Sequence, residues 1–235
     1  MNDRSLEKEL TFSNVRGETF TLSPTLYRDS LEALDRIGRR IEESCGRLDS
    51  GDAVRMVREI YQIVDRVGGS VSEHMSCSAG CAACCRMMVA VTRGEGEILR
   101  ERLRKEPKGE RLDRWNLGLR SRTETLFSLE GSADPDRPLS TLDDMLATCE
   151  SYEQKGQYCP FLGPDRLCEI YEDRPLMCRI CWTLTDPRDC DPGEGPPVKF
   201  RNGVFFRAFE LVIALGKAGF GDDRHRPIPL WLTQN

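Results

Sequence analysis

Two amphipathic stretches, LEALDRIGRRI at residues 31–41 and VRMVREIYQIV at residues 54–64, decide how the first part of the chain folds. In each stretch the apolar residues recur at steps of three and four, which places them on one face of an α-helix. Ser23 and Pro24 provide a helix start before the first stretch, and a polar turn at residues 49–52 separates the two. The sequence therefore predicts two antiparallel helices that pack through their apolar faces.

The rest of the chain favours a mainly α fold. Residues 131–138 are rich in Gly, Pro and Asp and predict a connector, and residues 107–109 would break a helix in the same way. Helical spacing of apolar residues recurs on both sides of these breaks. The further predicted helices cover residues 97–105, 112–129, 142–155 and 204–215.

Two segments fall outside this helical pattern. Within residues 1–23, the stretches at 10–12 and 19–22 alternate apolar and polar residues around a turn, which predicts a short hairpin or an extended arm. From residue 159 to residue 197 regular spacing disappears while Cys, Pro, Gly and Asp accumulate, as expected where a bound ion orders the chain. We expect an N-terminal arm or hairpin at residues 1–23, followed by one α-rich domain at residues 24–235.

The composition excludes several classes of protein. The chain has 235 residues, of which 39% are hydrophobic and 31% charged, so it has enough apolar residues to fold. Its formal charge of -5 would repel the phosphate backbone of nucleic acids. The first residues are charged and do not resemble a signal peptide, and residues 204–215 are too short and too interrupted by charge to span a membrane. We expect a cytoplasmic protein that binds neither nucleic acid nor a membrane.

The most informative feature is the presence of 11 cysteines. In a reducing cytosol, clustered cysteines indicate metal ligands or thiol chemistry rather than disulfides. The first cluster, CSAGCAACC at residues 77–85, supplies four soft ligands within one short stretch. On a helix these four thiols would share one side, and a non-helical knuckle could present them equally well.

A second cluster follows in the segment that lacks regular spacing. Its cysteines are too far apart to lie on one secondary structure element, so we expect loops to bring them together and complete the coordination begun by the first cluster. Thiolates are negatively charged, and Arg86, Arg174 and Arg179 are adjacent or close to cysteines and could compensate that charge. The cysteines of this cluster are Cys159, Cys168, Cys178 and Cys190.

Taken together, these motifs resemble the YkgJ-like cysteine-cluster family of zinc- or iron-chelating domains. The resemblance rests on CxxxCxxCC at residues 77–85, CPFL at residues 159–162 and CEIYEDRPLMCR at residues 168–179, and it extends over residues 77–190. Members of this family are often labelled iron–sulfur oxidoreductases. Some relatives, such as flagellin lysine methylases, couple the cluster to methyl transfer.

The resemblance implies a metal site that holds an iron–sulfur cluster or iron, with zinc as the alternative. The first gap of the motif has three residues where the family most often has two, which affects the position of Cys77. The eight cysteines of the family pattern, and therefore the candidate metal ligands, fall on Cys77, Cys81, Cys84, Cys85, Cys159, Cys168, Cys178 and Cys190.

The remaining cysteines and the two histidines have less specific interpretations. Cys45 and Cys149 each complete an apolar helical stripe, which indicates core packing. Cys181 follows Cys178 at zinc-knuckle spacing and is either a spare ligand or a buried thiol beside the site. His74 lies close enough in sequence to reach the site, although a structural role is commoner for such a histidine, and His225 is a weaker candidate still.

The spacing CxxxCxxC at residues 77–84 also occurs in radical S-adenosylmethionine enzymes. Those enzymes carry the motif after the first strand of a barrel and have an aromatic residue before the last cysteine. Here the motif follows two predicted helices, and Ala83 precedes Cys84. The sequence therefore argues against this class.

The number of candidate ligands limits the chemistry of the site. Eight thiolates exceed the four that a tetrahedral ion accepts, which predicts either two sites or one polynuclear cluster. Few titratable groups besides Glu169, Tyr171, Glu172 and Asp173 lie near the motifs, which favours electron transfer or structural metal over hydrolysis. We expect an iron–sulfur or iron-dependent redox enzyme with an unknown substrate or redox partner. The alternative is a structural zinc-binding module or a metal carrier without catalysis.

Overall fold

The structure is a computed structural model that is mainly helical, as predicted. It describes residue 6 and residues 8–129, 149–190 and 197–233. The helices are α1 (Pro24–Glu43), α2 (Ser50–Gly69), α3 (Arg93–Lys105), α4 (Glu110–Ser128), α5 (Leu176–Ile180), α6 (Gly203–Phe220) and α7 (Ile228–Thr233). The strands are β1 (Thr11–Ser13), β2 (Thr19–Thr21), β3 (Ala90–Val91) and β4 (Arg226–Pro227). Short 3-10 helices cover Ser72–His74, Ala83–Arg86, Tyr171–Asp173 and Pro187–Cys190.

The N-terminal hairpin that the alternating pattern predicts is present. β1 and β2 are antiparallel, with Phe12 opposite Phe20, and the turn between them contains Gly17 at a φ of 73°. Phe20 and the following Leu22 are buried in the same core as the first two helices. The hairpin is therefore attached to the helical core through its apolar side chains.

The two helices predicted from residues 31–41 and 54–64 form and pack against each other. The Asp49 side chain begins α2 by accepting hydrogen bonds from the N–H groups of Gly51 and Asp52. The apolar stripes of both helices are buried, and α6 packs against both of them. This three-helix core is the frame on which the cysteine-rich segment is mounted.

The interpretation of Cys45 as a core residue is wrong. α1 ends at Glu43, and Cys45 has a φ of 49°, in the left-handed region, followed by Gly46 at 72°. The chain therefore turns away from the helix axis before the apolar stripe reaches Cys45, and its side chain is exposed. Leu48, beyond this turn, still packs against the core.

α6 covers the predicted residues 204–215 and extends beyond them. Asn202 caps its start by accepting a hydrogen bond of 3.1 Å from Phe205 N–H, and Gly221 ends it with a φ of 65°. Arg207, which interrupts the apolar run, donates a hydrogen bond of 3.0 Å to Asp35 on α1. Among the helices that the structure describes, none has the length and apolar character needed to cross a membrane.

A second packed region joins α3, α4 and α7. Its core contains Trp115, Phe161 and Trp231, all nearly inaccessible to solvent. Trp231 donates a hydrogen bond of 2.8 Å from its indole N–H to the Val91 carbonyl oxygen of β3, which pairs with β4. Because Phe161 belongs to the cysteine-rich segment, this core helps to fix that segment in place.

The predicted helix at residues 142–155 is only partly described. Residues 149–153 are helical, whereas Leu142, Met145 and Leu146 lie outside the described residues, as does the connector at residues 131–138. Cys149 packs beside a small buried cluster that contains Leu126 and Tyr152. Its interpretation as a packing residue is confirmed.

The contact between α2 and α6 generates a testable prediction. A Cβ atom at Gly219 would lie 2.4 Å from the Cβ of buried Ala53, so Gly219→Ala must force the two helices apart. We expect it to lower the free energy of unfolding by about 1–3 kcal/mol, as measured by urea denaturation. Gly69→Ala is the matched control, because a Cβ atom at Gly69 would have nothing within 4 Å. If both substitutions had the same effect, the close approach of α2 and α6 would be contradicted.

Candidate metal centre

The first cysteine cluster forms a non-helical knuckle. Gly80 and Ala82 have φ values of 81° and 52°, and only the 3-10 helix Ala83–Arg86 is regular within it. Left-handed backbone at two nearby positions excludes a continuous α-helix. The helical alternative for these thiols is therefore wrong, and the knuckle is correct. The small residues between the cysteines allow this tight path.

The second cluster begins with a small hairpin-like loop at residues 159–169. Glu169 N–H donates to the Phe161 carbonyl oxygen at 2.9 Å, and Gly163 N–H donates to the Leu167 carbonyl oxygen at 2.8 Å. This pairing brings Cys159 and Cys168 to the same side of the loop, within electrostatic range of each other. Residues nine positions apart in the sequence thus become neighbours.

This loop is fixed to the knuckle by hydrogen bonds to the backbone. Cys159 N–H donates to the Cys85 carbonyl oxygen at 2.6 Å. Arg166 donates to the carbonyl oxygens of Gly80 and Cys81, each at 3.0 Å. The two cysteine clusters, far apart in sequence, therefore lie side by side.

Glu169 fixes the other side of the loop to α4. Its carboxylate accepts two hydrogen bonds from Arg114, at 2.7 and 3.0 Å, and one from the indole N–H of Trp115 at 2.6 Å. Paired, charge-assisted hydrogen bonds of this kind are directional and hold the loop in one orientation. The nearby Asp173 is also engaged, since it accepts a hydrogen bond of 2.7 Å from Arg58.

Arg179 anchors α5, which carries Cys178, to α2. Its side chain is 2% exposed and forms an ion pair with Asp65. It also donates to the backbone carbonyl oxygens of Glu172 and Arg174, the latter at 2.8 Å. The guanidinium carbon lies 4.1 Å from the centre of the Tyr61 ring, a cation–π contact.

A buried carboxylate supports the start of α5. Glu95 is 3% exposed and accepts hydrogen bonds from Leu176 N–H at 2.8 Å and from the Tyr61 hydroxyl at 3.0 Å. Its second oxygen accepts from Thr92 N–H at 3.0 Å, which closes the capping box of α3. Glu95 thereby links the starts of α3 and α5 to α2, and places Cys178 relative to the helical frame.

Each of the eight predicted cysteines has another thiol within electrostatic range. The neighbouring thiols of Cys181 and Cys85 both act on the pKa of Cys84. After burial, the thiols of Cys159, Cys84 and Cys168 contribute most to the raised pKa of Cys178, in that order. Cys77 has Cys81 and Cys181 as its thiol neighbours, and Cys190 has the same two.

Burial and proximity make these thiols hard to ionise in the absence of a cation. Burial raises the pKa of Cys159 to about 12, with Cys168 as a further contribution. For Cys84, the hydrogen bond with Cys181 lowers the pKa, but the bond with Cys85 and burial outweigh it and raise the pKa to about 12. Burial and three neighbouring thiols raise the pKa of Cys178 well above its usual range. A thiophilic ion that bound here would therefore displace protons.

N–H groups point at several of the sulfur atoms. Thr183 N–H donates to Cys77 Sγ at 3.4 Å, and backbone N–H groups at Phe161 and Ile170 lower the pKa of Cys159 and Cys168 against the effect of burial. Such donors favour thiolate over thiol.

Lys199 is the cation that sequence reasoning missed. Its Nζ lies 3.6 Å from Cys181 Sγ and 3.6 Å from Cys190 Sγ. No local motif indicates this role, because Lys199 reaches the site through backbone pairing with residue 183. Burial lowers the pKa of Lys199, and the two thiols more than offset that effect.

The three arginines expected to balance the thiolates differ in their contacts. Arg174 and Arg179 both lower the pKa of Cys168, although Arg174 also lies 3.7 Å from the centre of the Tyr171 ring. Arg86 lies 5.8 Å from the centre of the Tyr158 ring. Charge compensation at Cys168 is therefore confirmed for two of the three.

The two histidines are engaged in stacking. His74 stacks on Phe20 of the N-terminal hairpin, with ring centres 4.4 Å apart and planes 8° apart. His225 stacks on Phe209, and burial lowers its pKa. Both arrangements support the structural interpretation of these histidines.

The donor set matches a soft metal. Among the described residues, no three Cys, His, Asp or Glu side chains lie in an arrangement that holds a metal ion as they stand. Side-chain rotation would therefore have to complete any coordination sphere. Thiols are nevertheless the ligands that zinc and iron–sulfur centres prefer. In donor chemistry, the site fits such a group.

These features define a thiol-rich, candidate metal-binding protein on a helical frame. Residues 76–191 match the model of the CxxCxxCC family, described as a putative zinc- or iron-chelating domain. This match confirms the resemblance to the cysteine-cluster family and agrees with the expected iron or zinc. Neither a curated protein nor a solved structure matches the chain.

The Arg179 anchor can be tested directly. Arg179→Leu should lower the free energy of unfolding of the reduced, metal-free protein by about 1–3 kcal/mol, because it leaves the carbonyl oxygens of Glu172 and Arg174 without their donor. Asp65 is 40% exposed, so water can replace part of its ion pair. Urea denaturation measures the change.

Arg188→Leu is the control for this test, because Arg188 pairs with Asp186 at the surface with its side chain 83% exposed. It should change the free energy of unfolding by less than about 0.5 kcal/mol. Equal effects of the two substitutions would mean that Arg179 does not anchor α5.

Proposed function

We propose that this protein is an iron–sulfur or iron-dependent redox protein whose metal is held by cysteine thiolates. The ligands we propose are the eight cysteines of the family pattern: Cys77, Cys81, Cys84, Cys85, Cys159, Cys168, Cys178 and Cys190. One observation carries this proposal. The cysteines of residues 77–85 and those of residues 159–190 lie far apart in the sequence, but the fold makes them neighbours.

The number of thiols favours more than one metal ion. A single tetrahedral ion accepts four thiolates, and the proposed set is twice as large. Iron–sulfur clusters are also held by cysteine thiolates, and several iron atoms can share one polynuclear centre. Iron therefore accounts for the excess of thiols better than a single zinc ion.

The surroundings of the thiols favour electron transfer over hydrolysis. Two acidic groups next to the second cluster are occupied, since Glu169 is bound by Arg114 and Trp115, and Asp173 by Arg58. The guanidinium of Arg174 lies over the ring of Tyr171. A hydrolytic site needs a carboxylate or histidine that is available to move protons, and Glu169 and Asp173 are instead held in ion pairs with arginines.

An iron–sulfur cluster in this position would supply a reversible one-electron change. The chain's contribution would be to tune that change. N–H donors to sulfur stabilise electron-rich thiolates and raise the reduction potential, and Thr183 N–H and Lys199 Nζ are placed to do this at Cys77 and at Cys181 and Cys190. The redox partner or substrate is a separate molecule, and we place the reaction in the reducing cytoplasm.

A structural zinc site is the second candidate. It is favoured by the path of residues 159–190, in which the described regular elements are only the 3-10 helix Tyr171–Asp173, α5 and the 3-10 helix Pro187–Cys190. A segment with so little regular structure can depend on a metal ion for its order. In this alternative the domain is a binding module or a metal carrier without catalysis.

Anaerobic purification distinguishes the two candidates. The iron proposal predicts a brown protein with broad visible absorption that bleaches on reduction with dithionite and contains iron together with acid-labile sulfide. The measurements are an absorption spectrum and metal and sulfide analysis of the same sample. A colourless protein that contains zinc alone would refute the redox proposal and support the structural one.

Cysteine substitutions separate ligands from packing residues. Cys178→Ser should sharply lower the metal content, because a neutral hydroxyl replaces a soft thiolate among three other thiols. Cys149→Ala should keep the metal and cost about 1 kcal/mol of stability, since Cys149 packs beside Leu126 and Tyr152. Metal analysis and urea denaturation measure the two effects. Equal loss of metal in both variants would show that Cys149 belongs to the site.

A further inference from the structure

Cys181 lies within the thiol cluster, although the family pattern assigns it no role. Its Sγ is 3.6 Å from Lys199 Nζ and 3.8 Å from Met87 Sδ, and the thiol of Cys84 is a further neighbour. A thiol that serves only to fill space has apolar neighbours, as Cys149 does. The neighbours of Cys181 are sulfur atoms and a cation.

Backbone pairing on both sides fixes the segment that follows Cys181. On one side, Ser76 N–H donates to the Thr183 carbonyl oxygen at 3.1 Å, and Thr183 N–H donates to Cys77 Sγ at 3.4 Å. On the other side, Phe200 N–H donates to the Trp182 carbonyl oxygen at 3.0 Å. Thr183 also forms an isolated antiparallel bridge with Lys199. The fold therefore holds Cys77, Cys181 and Lys199 on three adjacent stretches of backbone.

Cys190 and Cys81 complete this side of the cluster. The Lys199 ammonium is equidistant from Cys181 and Cys190, at 3.6 Å from each sulfur, so a cation already lies between two thiols. The 3-10 helices Ala83–Arg86 and Pro187–Cys190 pack against each other, which brings the end of the second cluster to the knuckle. Cys81 is a thiol neighbour of both Cys77 and Cys190.

A different set of thiols faces the 159–169 loop and α5. Cys159 and Cys168 lie on the same side of that loop, and Cys178 has both of them and Cys84 as its strongest thiol neighbours. The neighbouring thiols of Cys84 and Cys181 connect the two sets. Each set contains four thiols, the number that a tetrahedral thiophilic ion requires.

We propose that Cys181 is a metal ligand and that the thiols form two separate ligand groups that meet at the Cys84–Cys181 contact. One group, the Lys199 group, consists of Cys77, Cys81, Cys181 and Cys190. The other group, the loop group, consists of Cys84, Cys159, Cys168 and Cys178. Cys181 therefore takes the place of Cys85 in the set of eight ligands proposed above, and Cys85 follows Cys84 in the sequence. This inference rests on the metal binding proposed above but not on the identity of the metal.

Cobalt(II) provides the test, because it occupies tetrahedral thiolate sites and its absorption reports thiolate ligation. The reduced, metal-free full-length protein is titrated with cobalt(II) under anaerobic conditions. The proposal predicts two equivalents bound, both with intense thiolate-to-cobalt charge transfer. Cys181→Ser and Cys178→Ser should each reduce the tightly bound cobalt from two equivalents to one, and the double variant should lose both. Cys45→Ser, at an exposed position, should retain two equivalents.

Two outcomes would overturn the partition. Unchanged cobalt binding and an unchanged spectrum in Cys181→Ser would mean that Cys181 is not a ligand. Loss of all cobalt in both single variants would mean that one centre uses all the thiols. No cobalt binding by the unmodified protein would refute the proposed metal function itself, so the two failures are distinguishable.

Cadmium-113 NMR of the unmodified protein keeps the proposal testable if a variant fails to fold. Two separate ligand groups predict two thiolate-bound cadmium resonances of equal intensity in the fully loaded protein. A single resonance at saturation with one equivalent would contradict two groups.

Discussion

The rest of the site depends on one electrostatic constraint: partly buried thiols that lie next to one another cannot all ionise unless a cation joins them. The raised pKa values of Cys84, Cys159 and Cys178 express this constraint, because burial and neighbouring sulfur atoms both oppose the thiolate. A metal ion relieves it by supplying positive charge at the place where the sulfur atoms meet. Lys199 supplies part of that charge to Cys181 and Cys190.

The helical frame determines where the thiols can meet. Arg179 and Glu95 connect α5 to α2, while Glu169 connects the 159–169 loop to α4. Each of these side chains is charged and bonded to backbone groups or to an opposite charge, so each holds its segment in one orientation. Cys178 and Cys168 directly precede Arg179 and Glu169 in the sequence. The second cluster is therefore positioned by polar anchors even though its own backbone is largely irregular.

The sequence predicted what depends on local periodicity and missed what depends on long-range pairing. The stripes at residues 31–41 and 54–64 predicted α1 and α2 because helical spacing is a local property. The same stripe wrongly included Cys45, since the left-handed turn that ends α1 has only Gly46 as its signal. The choice between helix and knuckle at residues 77–85 was left open by spacing alone, and the backbone at Gly80 and Ala82 decides it.

The partners of Cys181 show why the remaining part of the site could not be predicted. Lys199 approaches it through the pairing of residues 182–184 with residues 198–200, which no motif encodes. The sequence shows that Phe200 and Leu184 are apolar. The backbone pairing of the two segments that contain them depends on the folded core, in which both residues are buried. Spacing identified which cysteines belong to the region, whereas their grouping requires the three-dimensional structure.

X-ray absorption spectroscopy at the edge of the metal that the anaerobically purified protein carries tests the central claim most directly. If buried thiols hold the metal, the first coordination shell consists of sulfur scatterers, at about 2.3 Å in the case of zinc. A first shell dominated by nitrogen or oxygen would contradict the account, because the cysteines would then not be the ligands.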